Sequence, residues 1–221
     1  MKIFLDTANI ESIKKFNDMG LLDGITTNPS LLSKEGGNPK DGMAEITKII
    51  KGDVSLEVVS TDYAGMIEEG RKLREYGENV VVKVPITPDG LKACKTLSSE
   101  GTPVNVTLVF SPNQALLAAK SGAKYVSPFI GRLDDIGQNG MHLIKEIKEI
   151  FSNYNLGTEI LVASVRHPIH VVEAAKIGAD VVTLPPAVLD KMLHHPLTDI
   201  GLKNFLTDWK KLESENPGLK I

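Results

Sequence analysis

Lys83 sits in an otherwise apolar run, Val80-Val81-Val82-Lys83-Val84, where an ammonium needs a partner or a task. A lysine amine attacks a ketone to form a Schiff base when it is neutral often enough, and burial favours the neutral form by stripping hydration. Two acids in similar runs, Asp6 in Ile3-Phe4-Leu5-Asp6 and Glu57 in Val54-Ser55-Leu56-Glu57, supply proton shuttles. One would move the proton of a substrate hydroxyl as a carbon–carbon bond breaks. The other would activate the water needed for imine formation and hydrolysis. The plain alternative is a structural ion pair of Lys83 with Glu57 or Asp6. Asn28 and Asn105 carry amides suited to sugar hydroxyls, and the Thr107 hydroxyl could hold a water; satisfied barrel packing is the alternative for these. Arg132, Ser164 and Arg166 form a plausible phosphate clamp, because guanidinium grips phosphate through two hydrogen bonds. Ion pairs with the neighbouring Asp134 and Asp135 are the competing explanation for the arginines.

Other chemistries lose support. His194-His195 would point apart on a helix, with no acid or cysteine at metal spacing, so no metal site is expected. The single cysteine, Cys94, shares a helical pattern with Leu91 and Leu97 and reads as core; it also excludes a disulfide framework within the chain. No Gly-x-Ser-x-Gly elbow, Gly-x-Gly-x-x-Gly fingerprint or Gly-x-x-x-x-Gly-Lys-[Ser/Thr] loop occurs. A formal net charge of −3 and only 5% aromatic residues argue against a nucleic-acid partner. No run of about 18 apolar residues exists, so no membrane span is expected. Asp6 interrupts the N-terminus before a signal-peptide core could form, and a cytoplasmic protein is expected.

The candidate groups must be held by something, and the chain supplies a repeated unit. Short apolar runs alternate with helical patterns at Lys2–Thr7, Gly24–Thr27, Val54–Val59, Val80–Val84, Pro103–Phe110, Lys124–Ser127, Glu159–Ala163 and Asp180–Leu184. Eight such units in 221 residues leave about 28 residues each, close to the length of a βα unit. Helix starts are marked by Ser111-Pro112-Asn113-Gln114, Thr87-Pro88 and His167-Pro168, and one face of the first helix by Ile10, Ile13 and Phe16. Gly122-Ala123 and Gly178-Ala179 close two helices and open two strands within a shared Gly-Ala-x-x-Val-[Ser/Thr] pattern. Strands alternating with helices imply a parallel sheet, and eight units imply a closed (β/α)8 barrel of the α/β class, one domain over residues 1–221. In such a barrel alternate side chains face the lumen. Parity then groups Phe4 with Asp6, Ser55 with Glu57, Val81 with Lys83, Asn105 with Thr107, Tyr125 with Ser127, and Ile160 and Val162 with Ser164.

These residues resemble a known family. Asp6-Thr7, Thr26-Thr27-Asn28-Pro29-Ser30, Val82-Lys83-Val84-Pro85 and Ser127-Pro128-Phe129-Ile130-Gly131-Arg132 are together similar to the transaldolases, most of all the small, short-chain members that neighbour the fructose-6-phosphate aldolases. The likeness runs from Met1 to the helix carrying Trp209. It implies transfer of a dihydroxyacetone unit from a ketose phosphate (sedoheptulose 7-phosphate or fructose 6-phosphate) to an aldose phosphate, in the non-oxidative pentose phosphate pathway. The aldose would be glyceraldehyde 3-phosphate or erythrose 4-phosphate. A lyase releasing dihydroxyacetone is the alternative. By the resemblance Lys83 forms the Schiff base, Asp6 handles the hydroxyl proton, and Glu57 and Thr107 manage a water. Thr26, Asn28, Asn105, Ser127 and Phe129 fall among the sugar contacts, and Arg132, Ser164 and Arg166 among the phosphate contacts. No metal or organic cofactor is implied. Glutamate at 57 and phenylalanine at 129, where the related aldolases carry glutamine and tyrosine, are the transaldolase-like pair. A homopentamer or homodecamer is implied, with a C-terminal helix about 199–213 packing on a neighbouring subunit; an ordinary capping helix is the alternative. The Pro185-Pro186 pair departs from many relatives, which carry an aromatic near it.

Overall fold

A computed structural model of the chain describes residues 1–218; the last three residues of the expected domain lie outside them. The elements run β1 (Lys2–Asp6), α1 (Ile10–Asp18), β2 (Gly24–Thr26), α2 (Pro29–Lys34), α3 (Pro39–Ile49), β3 (Asp53–Glu57), α4 (Tyr63–Arg74), β4 (Val80–Pro85), α5 (Pro88–Ser99) and β5 (Val104–Val109). There follow α6 (Pro112–Lys120), β6 (Tyr125–Pro128), α7 (Ile130–Asp135), α8 (Gly140–Asn153), β7 (Glu159–Val162), α9 (Pro168–Ile177), β8 (Val181–Leu184), α10 (Pro186–Leu193) and α11 (Pro196–Glu215). The strands pair in parallel and in sequence order, and β1 closes on β8, so the sheet is the expected (β/α)8 barrel.

Local chemistry explains where the elements begin and end. The Thr87 hydroxyl accepts from the Gly90 N–H at the start of α5, and the Ser111 hydroxyl accepts from the Gln114 N–H at the start of α6. Gln114 reaches back past the cap to accept from the Phe110 N–H at 2.8 Å, one residue before the Ser111 N–H that the expected capping box would use. Gly122 and Gly178 end their helices with φ of 90° and 81°, a conformation that costs glycine little. On α1 the buried residues are Ile13 and Phe16, with Ile10 packed at the edge.

Two apolar layers result. The outer one lies between strands and helices and includes Leu5, Val54, Val82, Val106 and Cys94. The inner one plugs the lower lumen with Phe4, Val81, Tyr125, Leu161, Ala163 and Val181. Burying each large side chain there contributes about 1.5–3 kcal/mol. Phe4 fits only because residue 24 has no side chain: a Cβ there would stand 2.6 Å from the Phe4 ring and 2.5 Å from the Asp53 carbonyl oxygen. Below the plug, the Tyr125 hydroxyl donates to Asp53 at 2.6 Å, and Asp53 also pairs with Lys124.

The inner layer corrects one expectation. Leu161 on β7 and Ala163 just after it, not Ile160 and Val162, face the lumen. Parity counted back from Ser164 fails because Ser164 lies beyond the strand, with φ of +61°. Two short helices, α2 and α7, are also inserted after β2 and β6. His194 and His195 do not share a helix: His194 follows α10, and His195 caps α11, its Nδ1 accepting from the Leu197 N–H at 3.1 Å. No group of three or more metal-ligating side chains occurs among the described residues, and none of the described helices is long and apolar enough to cross a membrane. The C-terminal helix α11 is longer than expected and has no buried residue.

Candidate active site

Each strand ends at one rim of the barrel, and there the polar residues meet over the apolar plug. A cavity of about 540 Å³ opens at this rim. Asp6, Thr26, Asn28, Glu57, Lys83 and Ser127 line its inner part; Phe129, Arg132, Ser164 and Arg166 line the side under β6 and β7. An apolar cleft of about 370 Å³ lies beyond Glu57, walled by Leu32, Met43, Val59, Leu73 and Tyr76 among others. Its lysines, Lys40 and Lys72, are exposed, whereas the polar cavity holds a buried lysine against a carboxylate, so the polar cavity is the better chemical candidate.

Lys83 projects from the middle of the barrel wall, 5% exposed. Its Nζ lies 3.0 Å from Glu57 Oε2 and donates to the Thr27 carbonyl oxygen at 3.1 Å. The register explains the pair, because β3 and β4 place Glu57 directly beside Lys83. The ion pair foreseen as a structural alternative is therefore present, and it puts a proton acceptor against the amine. The Asp6 carboxyl accepts from the Thr26 hydroxyl at 2.8 Å. Burial pushes the Asp6 pKa up, against the opposing pulls of that hydrogen bond and of the Lys83 charge. A carboxyl so placed holds and releases a proton more readily at neutral pH than an exposed one.

Thr183 is a polar contact that the sequence reading passed over. Its Oγ1 lies 2.6 Å from Thr26 Oγ1, so β8, β2 and β1 are joined by a chain of oxygens ending on Asp6. Thr26 has one hydroxyl proton; when it donates that proton to Asp6, Thr183 must donate to Thr26. The signal was available, since Thr183 shares parity with Val181 in the eighth run.

Asn105 and Thr107 do not reach the cavity wall. Asn105 is fully buried, donating to Ser55 Oγ at 3.2 Å and accepting from the Ser127 hydroxyl at 2.7 Å. It thus orients Ser127 from behind. Strand β5 is irregular between Val106 and Val109, and Leu108 takes φ of +61°, so Leu108 rather than Thr107 lines the cavity. The Thr107 hydroxyl is buried with no hydrogen-bond partner among the described residues. Such an orphan costs about 1–3 kcal/mol and would be satisfied by a single water.

Asn28 has two duties: its carbonyl oxygen caps α2 by accepting from the Leu31 N–H at 2.9 Å, while the residue lines the cavity. On the far side the Phe129 ring meets Phe110 edge-on at 5.9 Å, and the Arg132 guanidinium lies 5.2 Å from the Phe129 centroid. Arg132 makes no ion pair among the described residues. Arg166 does, with Asp135 at 2.7 Å, but both side chains are about half exposed, and such pairs are worth at most about 1 kcal/mol. Ser164 is brought beside the arginines by its left-handed backbone, a conformation that costs a non-glycine residue about 1–3 kcal/mol and concentrates at ligand sites. Gly131 permits the approach: its N–H donates to the Ser164 carbonyl at 3.1 Å, where a Cβ would stand 2.1 Å from that oxygen.

The family model for transaldolase/fructose-6-phosphate aldolase matches residues 3–216. A protein of Nitrosopumilus maritimus named "Probable transaldolase" is 83% identical, the alignment covering 100% of both chains. Proteins of the same name from Aquifex aeolicus and Methanococcus maripaludis are 64% and 60% identical, covering 96% and 95% of this chain and 98% of each relative.

Proposed function

The chain belongs to the transaldolase/fructose-6-phosphate aldolase family, and from that premise we propose that it is a transaldolase working through a Schiff base on Lys83. The observation that carries the proposal is the buried Lys83 amine, 3.0 Å from Glu57 and facing the cavity that Asp6 also lines. Lys83 passes a proton to Glu57 and attacks C2 of a ketose phosphate. The carbinolamine loses water to give an iminium. Asp6 takes the proton of the C4 hydroxyl; the C3–C4 bond breaks, and its electron pair moves into the iminium to leave an enamine. The aldose phosphate released departs. A second aldose phosphate enters, the enamine carbon attacks its aldehyde, and Asp6 returns the proton to the new hydroxyl. Water then hydrolyses the product iminium. Glu57, which lines the cavity, activates that water; the unpartnered Thr107 hydroxyl supports Thr107 holding a second, buried water behind the wall rather than the hydrolytic one.

Asn28, Thr26 and Ser127, backed by Asn105, contact the sugar hydroxyls, Phe129 packs beside them, and Arg132, Ser164 and Arg166 hold the phosphate. The donors are fructose 6-phosphate or sedoheptulose 7-phosphate and the acceptors erythrose 4-phosphate or glyceraldehyde 3-phosphate, in a cytoplasmic non-oxidative pentose phosphate pathway. The reaction uses no cofactor. We further propose a homopentamer or homodecamer in which α11 packs on a neighbouring subunit, a role supported by its exposed Leu197, Ile200, Leu202, Phe205 and Leu206.

Two measurements test the reading. Borohydride reduction in the presence of fructose 6-phosphate should add a dihydroxyacetone-derived mass to the peptide carrying Lys83, and absence of that adduct would sink the Schiff base. Glyceraldehyde 3-phosphate release should require erythrose 4-phosphate; equal turnover without it would make the protein the lyase of the family.

A further inference from the structure

Behind the candidate phosphate contacts lies a histidine that takes no part in the scheme above. His170 is 6% exposed, in the first turn of α9. Its Nδ1 accepts from the Arg166 N–H at 3.3 Å, and its Nε2 lies 3.1 Å from Asp134 Oδ2 on α7. The other Asp134 oxygen accepts from the Gly140 N–H at the head of α8 at 2.9 Å. One imidazole therefore ties the turn carrying Ser164 and Arg166 to the helix carrying Arg132, and through Asp134 to α8. The bonds require one form of the ring, neutral with the hydrogen on Nε2, because Nδ1 must accept. Burial lowers the His170 pKa, aided by His167, whose ring centroid is 3.8 Å away, and opposed by Asp134 and Glu173.

The backbone around this tie needs support. Ser164 is held at φ of +61°, and Arg132 and Arg166 come from different βα loops with no direct bond between them. Two like-charged guanidinium groups repel, so their separation must be set by the segments bearing them. On the reading of Arg132, Ser164 and Arg166 as the phosphate contacts, we propose that His170 is a positioning residue that fixes the spacing of the two arginines. It thereby sets affinity for the phosphate end of the substrate without touching the reacting carbons.

The test compares His170→Phe, which keeps a ring but loses both bonds, with His170→Asn, whose amide oxygen can stand where Nδ1 stands. In His170→Phe the KM for fructose 6-phosphate should rise about tenfold, with kcat within about twofold, a loss of about 1.4 kcal/mol in binding. The Ki of inorganic phosphate as competitive inhibitor should rise by a similar factor, and kcat/KM for unphosphorylated fructose should stay unchanged. His170→Asn, which keeps the Arg166 bond but not the contact to Asp134, should recover only part of both losses. If His170→Phe does not fold, Asp134→Ala, which removes the anchor of the same ring, carries the same comparison. Unchanged KM and Ki, or an equal fall for fructose and its phosphate, would overturn the proposal. Arg132→Gln serves as the control: if it fails to discriminate between the two donors, the phosphate reading itself falls, whatever the His170 variants do.

Discussion

Replacing Glu57 by alanine removes the carboxylate that lies 3.0 Å from the Lys83 ammonium, in a place where the two side chains keep only 17% and 6% of their exposure. Lys83 is then left with the Thr27 carbonyl as its one hydrogen-bond partner among the described residues. Removing one member of a buried pair costs about 3–5 kcal/mol, because the other charge stays buried without compensation. Glu57 retains some hydration, so the low end, about 3 kcal/mol, is the appropriate figure. At about 2–4 °C per kcal/mol for a chain of this size, Tm should fall by about 6–12 °C. The double variant Glu57→Ala/Lys83→Met removes the stranded charge, and its Tm should return to within about 3 °C of the parent, because an apolar replacement of a buried pair is often neutral. Thermal unfolding followed by circular dichroism at one fixed protein concentration measures all three proteins, the fixed concentration guarding against shifts from self-association. A drop below about 2 °C in the single variant, or no recovery in the double, would refute the view of Glu57 as the counter-charge of a buried ammonium.

Asp6→Asn should abolish turnover yet raise Tm at neutral pH: the folded-state pKa of Asp6 lies above its usual value, so the folded chain binds this proton more tightly and stability is lost as pH rises through the window above about 3.8. The gain in Tm should shrink as the pH is lowered toward 4, and a pH-independent difference would contradict the assignment. Gly42→Ala on α3, where a Cβ meets nothing within 4 Å, should stabilise the protein by about 0.5–1 kcal/mol in urea titrations. Gly24→Ala should cost about 1–3 kcal/mol or prevent folding, since two neighbours, one of them backbone, stand closer than any Cβ contact. Cys94 is buried and its thiol is pushed up to about 11, so it should resist a thiol reagent at pH 8 until the protein is unfolded.

The barrel was legible because its evidence is repetitive: eight apolar runs, caps at Thr87 and Ser111, and glycines at 122 and 178 all agree on one period. Parity placed Asp6, Glu57, Lys83 and Ser127 on the cavity because their strands are regular to the rim. It went astray where the backbone leaves the strand. Leu108 and Ser164, both with φ of +61°, turn the chain at the points where alternation was still being counted. Thr107 consequently lies behind the wall, and Ser164 reaches the cavity for a reason other than alternation. A left-handed residue that is not glycine leaves no mark in the sequence, because its cost is met by tertiary contacts. The Arg166–Asp135 pair was foreseen only as a competing explanation, and the His170–Asp134 tie was not foreseen. Both join segments more than 30 residues apart, beyond the reach of any local pattern.

The plug formed by Phe4, Val81, Tyr125, Leu161 and Val181 also governs traffic. The barrel axis is blocked below Lys83, so no molecule leaves through the floor, and what enters past Arg132 and Asn28 departs by the same door. A two-substrate reaction on Lys83 must then empty the cavity of its first product before the second carbonyl compound takes that place. On the proposed Schiff-base reading, the dead end imposes an order of events, with the covalent intermediate waiting alone between departure and arrival. The kinetic form of such an order is ping-pong, with parallel lines in double-reciprocal plots. During that wait the attached fragment is exposed to solvent through the same opening, so the choice between transfer and hydrolysis is a race for one doorway.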